Sequence, residues 1–458
     1  MTAGTSHVFH RDLHHRPLRI ASGRGVWLRS EDGTSYLDAA GGAAVVTIGH
    51  GVPEVYASLA EAAESTVYVY GGGFTSPWTE RFADELIDLT PWPADAVYLV
   101  SGGSEANETA IKMARQYHLE RGKPHKHKVI ARWQSYHGVT LGMLSVSGRT
   151  SWRQPYDPYL FDVPRISAPY CYRCPLGRSY PSCRLACADE LDRLIRMEGA
   201  DTVAAFIAEP VIGTTVTAVT PPPDYHQRIR EICDRHDILF IADEVLSGYG
   251  RTGSAFAISH SGVTPDIATL GKGIGSGYAA LGAVIAAPHV VDAFRAGSGR
   301  FNHGFTYSGL PAGARIGLAV LDYCRRHDLF ARSAELGGYL QELLRELAAR
   351  QPLIGDVRGR GLYAGVEFVA DRRSREPLPA TAGFAATVAR LVEREHQVLI
   401  RPGLPGANHG QGGDHIQISP PFVITRAELD RVVTALDQAI STAARALPGP
   451  AAALPGGR

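Results

Sequence analysis

No stretch of this sequence is apolar enough to span a bilayer. The longest apolar run, residues 278–287, is about ten residues long, against the roughly 20 that a hydrocarbon core demands. An excess of charge is missing too: Lys and Arg number 46, Asp and Glu 46, and the formal net charge is zero. No global positive field therefore exists to hold a nucleic acid or an anionic membrane by counterion release. The N-terminal stretch carries His and Arg but no apolar segment of the kind a secretory signal needs. These absences set the expectation of a cytoplasmic protein with neither nucleic-acid nor membrane partners. Cysteine is scarce, 6 in 458 residues, so disulfides are not expected to hold the core. A chain this long buries roughly three quarters of its unfolded surface without them. The scarcity is uneven, because four of the six fall at Cys171, Cys174, Cys183 and Cys187.

What is present is an alternation of short apolar runs with helical segments. The runs occupy residues 97–100, 128–131, 203–208, 238–242, 267–270 and 281–286, and residues 104–121 and 225–236 have helical spacing. Continuous apolar strands separated by helices predict an α/β architecture, a mainly parallel sheet flanked by helices on both faces. In such a sheet ligands sit beyond the carboxyl ends of the strands. Residues 25–38 alternate around Asp32-Gly33 as a hairpin does. After about residue 325 charged helical segments take over, with strand candidates at 356–368, 397–400 and 415–419. The expected organisation is an N-terminal segment 1–58, a large domain 59–325 and a smaller α+β C-terminal domain 326–446. An Ala/Pro/Gly tail, 447–458, is expected to be disordered.

Three motifs follow these runs. After 97–100 comes Ser101-Gly102-Gly103-Ser104 and then a helix. Glycines at a helix start leave backbone N–H groups free at the positive dipole end, a seat for phosphate with Gly103 and Ser104 as contacts; a plain helix cap is the alternative. After 238–242 come Asp243-Glu244. A carboxylate at that depth needs a partner, either a protonated heterocyclic nitrogen or an ordinary cap or ion pair. After 267–270 comes Gly271-Lys272-Gly273, a lysine crowded by small residues whose lowered pKa would make a usable amine nucleophile rather than an exposed loop lysine. Phosphate seat, buried carboxylate and such a lysine, in this order, form a pyridoxal phosphate site, where the carboxylate keeps the ring nitrogen protonated and the lysine carries the cofactor.

With these motifs the chain resembles the class III aminotransferases, fold type I pyridoxal phosphate enzymes of the ornithine, 4-aminobutyrate and ω-amino acid:pyruvate type. The matching stretches are 101–115 (SGGSEANETAIKMAR), Tyr136-His137-Gly138, Ala208-Glu209-Pro210-Val211, 241–253 (IADEVLSGYGRTG), 269–277 (TLGKGIGSG), 303–309 (HGFTYSG) and 418–425 (ISPPFVIT). The resemblance implies that Lys272 carries the cofactor, Asp243 binds its pyridine nitrogen, and Gly103 and Ser104 hold its phosphate, joined by Thr306 from a neighbouring subunit. It implies that Tyr136 stacks on the ring and that His137 and Glu209 support the site, within at least a homodimer. The implied reaction is ping-pong transamination from an amine or ω-amino acid to a keto acid, pyruvate or 2-oxoglutarate. Decarboxylating aminotransferases and amino-acid epimerases share the fold and remain alternatives.

Arg401 stands where amine-accepting members keep a mobile arginine for the keto acid's carboxylate, although the glycine-rich insertion 403–413 leaves a surface arginine as the other reading. Small residues at 41–46 imply a roomy substrate pocket, expected to be walled by Tyr70 and Phe74. The four clustered cysteines depart from most of the family. Their spacing in a reducing compartment predicts a zinc or iron–sulfur site, with free thiols or a labile disulfide pair as alternatives. That cluster also sustains a distant reading of the chain as a non-catalytic metal- or partner-binding protein.

Overall fold

The computed structural model describes residues 7–14, 16–66, 68–403, 406–410 and 412–447. The tail expected at 447–458 thus lies, after Leu447, outside the described residues, as does part of the insertion 403–413. At the centre is a seven-stranded sheet in the spatial order Ala96–Val100, Gly282–Ala286, Ile267–Leu270, Leu239–Asp243, Val203–Ala208, Lys128–Arg132 and Arg165–Ile166. The last five pair in parallel. Gly282–Ala286 runs antiparallel to both of its neighbours.

Every residue of Val203–Ala208, Leu239–Asp243, Ile267–Leu270 and Gly282–Ala286 is buried. Burial on both faces explains why these strands read as unbroken apolar runs. Successive residues feed opposite faces: Phe206 and Phe240 pack with Leu191, Ile229 and Ile232 in one core layer. Ala205, Ile207 and Ile241 pack with Ala110, Met113 and Ala114 in the other. The second layer is covered by the helix Gly103–Glu120, the first by Ala186–Glu198 and Tyr225–Arg235.

The hairpin read at 25–38 is Trp27–Ser30 against Ser35–Asp38, with Ile20–Arg24 added outside. A segment distant in sequence, Val398–Leu399, completes this sheet in parallel with Ser35–Asp38. The candidate strand 356–368 is two antiparallel strands, Ile354–Gly359 and Ala364–Asp371. Between them Gly361 has φ +57°, and a Cβ there would lie 2.6 Å from the Arg251 carbonyl oxygen. Asp414–Ile418 and Arg401–Pro402 extend this sheet, and Glu376–Pro377 pairs with its long strand. The helices Leu329–Arg350, Phe384–His396 and Arg426–Arg445 accompany it. No helix among the described residues is long and apolar enough to cross a membrane.

Candidate active site

The motifs meet at the carboxyl edge of the central sheet. Gly103, Ser104, Asn107, Tyr136, His137, Glu209, Asp243 and Lys272 line one cavity of about 150 Å³. The helix Gly103–Glu120 begins there with Gly102 at its cap and no side-chain capping bond, so its first N–H groups present the positive end of the dipole to the cavity. Gly103 is glycine for want of room: a Cβ would lie 2.5 Å from Val245 Cγ1.

Asp243 ends the strand Leu239–Asp243 and is 3% exposed. Its Oδ2 accepts from Asn107 Nδ2 at 2.8 Å and, with the proton on Nδ1, from His137 at 2.7 Å. Its Oδ1 accepts from the Val245 N–H at 3.0 Å. Two donors on one oxygen and a third on the other fix the plane of the carboxylate. The Nε2 of His137 is buried without a protein partner. Asn107 drew no attention in the sequence, yet its Nδ2 also donates to the His137 carbonyl and its Oδ1 accepts from Thr269 Oγ1. The available signal was a polar residue one turn inside a helix whose neighbours are buried.

Lys272 opens a short 3₁₀ turn after Ile267–Leu270. Burial pushes its ammonium down to about 8, an effect that the carboxylates of Asp243 and Glu209 oppose. Glu209 is buried with its Oε1 accepting from the Gly213 N–H at 2.8 Å and its Oε2 from the Tyr136 N–H at 3.2 Å. Burial raises its pKa. Tyr136 packs edge-on against Trp152, centroids 5.8 Å apart. Ala44, from the small-residue stretch 41–46, packs with Val211 and Leu246, which line the cavity, and with Tyr363.

A family model for class III aminotransferases matches residues 8–440. The chain belongs to the class III aminotransferases. An aminotransferase of Bacillus subtilis is 37% identical over 93% of this chain and 95% of its own length. An omega-aminotransferase of Caulobacter vibrioides is 34% identical over 94% of this chain and 95% of its own. The crystal structure of a pyridoxal phosphate-bound amine transaminase from an uncultivated Pseudomonas species superposes with a TM-score of 0.88 at 37% identity, covering 97% of this chain and 98% of that one. As in other class III aminotransferases, the fold is type I and the cofactor is pyridoxal phosphate. The donor set fits that group: an uncapped helix N-terminus for phosphate, a hydrogen-bonded carboxylate for a protonated ring nitrogen, an aromatic side chain for the ring and a buried amine.

Tyr70 and Phe74 do not line this cavity, and neither does Thr306, which the resemblance assigns to a neighbouring subunit's phosphate. Thr306, Tyr70 and Phe74 line a separate surface groove of about 670 Å³, and Tyr70 and Phe74 are exposed. Arg401 stands on its strand at the rim, its electrostatic neighbours being Tyr136, Tyr363 and Arg11.

The metal site expected at Cys171, Cys174, Cys183 and Cys187 is corrected. All four are free thiols, and among the described residues no group of three or more His, Cys, Asp or Glu is arranged to hold a metal. Cys171 opens a 3₁₀ turn, Cys171–Arg173, whereas Cys187 lies in the first turn of Ala186–Glu198. Burial, then the neighbouring thiols, raises Cys171 and pushes Cys187 up to about 12.

Proposed function

We propose that the chain moves an amino group from an amine or ω-amino acid to a keto acid, pyruvate or 2-oxoglutarate, in two half-reactions, as a homodimer in the cytoplasm. The observation that carries this reading is one cavity holding an amine with a lowered pKa, a buried carboxylate clamped by two donors and an uncapped helix N-terminus. Bound there, pyridoxal phosphate supplies an electron sink for the substrate carbon that bears the amine. The N–H groups at Gly103 and Ser104 would hold its phosphate, Asp243 would hold the proton of its ring nitrogen, and Tyr136 would cover one face. Asn107 and His137 would hold Asp243 oriented for that task. Lys272 would anchor the cofactor, and its Nζ, as a neutral amine, would take the proton from the substrate carbon and give it back to complete the transfer. Thr306 lies in a surface groove of its own chain, which suits a residue delivered to the phosphate of a second copy. We assign the domain limits to residues 58/59 and 325/326, the second lying at the end of the helix Pro311–Arg326.

Lys272→Ala is expected to abolish both turnover and the visible cofactor band near roughly 400 nm. Full activity in this variant, followed by amine-dependent bleaching of the band, would overturn the reading.

A further inference from the structure

The segment that carries Tyr136 into the cavity returns with Arg149, which is 7% exposed. Its guanidinium lies 4.1 Å from the ring centroid of Trp152 and 6.0 Å from that of Tyr136. The guanidinium of Arg11 stands 5.9 Å from the same Trp152 ring. Arg401 approaches from the strand Arg401–Pro402. The charged and titratable groups facing Arg149 are Tyr136, Arg401, Arg11 and His415, and those facing Arg401 are Tyr363, Arg11, Tyr136, Arg149 and Lys272. No carboxylate is among them. Aromatic faces offset part of the cost of burying a guanidinium, but three cations around one ring repel each other, and a buried charge without a counter-charge is expensive. Such a cluster at the rim of the lysine cavity is built for an anion that arrives from solution. Each planar guanidinium matches one carboxylate bidentately, and the two less exposed ones stand on different elements.

Resting on the transaminase reading, we propose that Arg149 and Arg401 bind one carboxylate each of a dicarboxylic keto acid of 2-oxoglutarate size, Arg149 being the residue that selects it over a monocarboxylic acid such as pyruvate. Arg11, exposed at the entrance, adds to the attractive field and shares neither carboxylate.

The test is the acceptor half-reaction of the holoenzyme converted to its amino form, run with 2-oxoglutarate and with pyruvate. The unaltered enzyme is expected to favour 2-oxoglutarate in kcat/KM. Arg149→Gln is expected to lower the 2-oxoglutarate-to-pyruvate ratio by about 30-fold or more, the scale set by removing one partner of a desolvated charge pair. Arg149→Lys, which keeps the charge but not the fork, should fall between, and it carries the test if the Gln variant does not fold. Calorimetric titration with glutarate and with butyrate reads the same site without turnover. Glutarate should bind at least about tenfold tighter, and Arg149→Gln should erase the difference. A preference for pyruvate in the unaltered enzyme, or equal loss with both acids in the variant, overturns the proposal. Failure of every amine to bleach the cofactor band overturns the transaminase reading instead, while the glutarate titration still decides the arginine pair.

Discussion

At φ +45° Lys272 occupies the left-handed region, where a non-glycine residue costs roughly 1–2 kcal/mol. The flanking Gly271 and Gly273 let neighbours pack closely around it, since a Cβ would lie 3.2 Å from Val245 Cγ1 at the first and 3.1 Å from Thr47 Cγ2 at the second. Burial of the Lys272 side chain disfavours the ammonium form, so the reactive free amine is reached near pH 8 instead of at a lysine's ordinary 10.5. A base with a lowered pKa is protonated below that value and neutral above it. The rate at which the cofactor-free protein captures pyridoxal phosphate should therefore climb about tenfold per pH unit below 8 and level off above it. Stopped-flow absorbance checks this, and a climb that continues towards 10.5 would show an unperturbed lysine. Lys272 and Asp243 were legible because each directly follows an apolar run. Asn107 was not, because its partner Asp243 lies 136 positions away and no local pattern announces such a bond.

At the scale of elements, the N-terminus of Gly103–Glu120 packs against the loop after Leu239–Asp243, and in the proposed reading it also seats the cofactor's phosphate. The two are coupled through Gly103, whose missing side chain lets Val245 approach. Gly103→Ala would force a Cβ into Val245 Cγ1 and move the first helical turn. The expected result is cofactor affinity weakened by about tenfold or more, with circular dichroism unchanged. Dialysis against graded pyridoxal phosphate measures it, and unchanged affinity would show that the first turn does not hold the phosphate. Buried strands were read to within a residue or two, since covering both faces leaves a continuous apolar run. The strands at 354–359 and 364–371 merged into one in the sequence because only residues 360–363 separate them. The four cysteines misled for a related reason: spacing along the chain says which residues can meet, not that their sulfur atoms point to one centre.

The whole molecule is tied together by groups whose partners come from all parts of the chain. Arg251 is fully enclosed, and its guanidinium donates to the carbonyls of Val46, Leu362 and Pro420 while lying 4.6 Å from the Phe422 ring. It thus links the N-terminal segment, the central domain and the C-terminal sheet. If Thr306 of a second copy helps to hold the phosphate, cofactor retention must depend on assembly. Diluting the protein through dimer dissociation should release pyridoxal phosphate in step with the loss of dimer, as followed by light scattering and absorbance. Retention by a monomer at full affinity would place the whole phosphate site within one chain.

The α/β class, the order of the strands along the chain and the residues at their carboxyl ends were determined by the sequence itself. Buried strands and helix starts leave local signatures in composition and period, and the cofactor chemistry needs residue types at those ends. Only the tertiary structure decided that Val398–Leu399 joins the N-terminal sheet, that Asn107 and His137 share one oxygen of Asp243, that Tyr70, Phe74 and Thr306 share one groove, and that Arg149 and Arg401 feel each other's charge. Each of these is a contact between residues far apart in sequence, set by how layers pack and charges are compensated in space, and a linear pattern carries no trace of it.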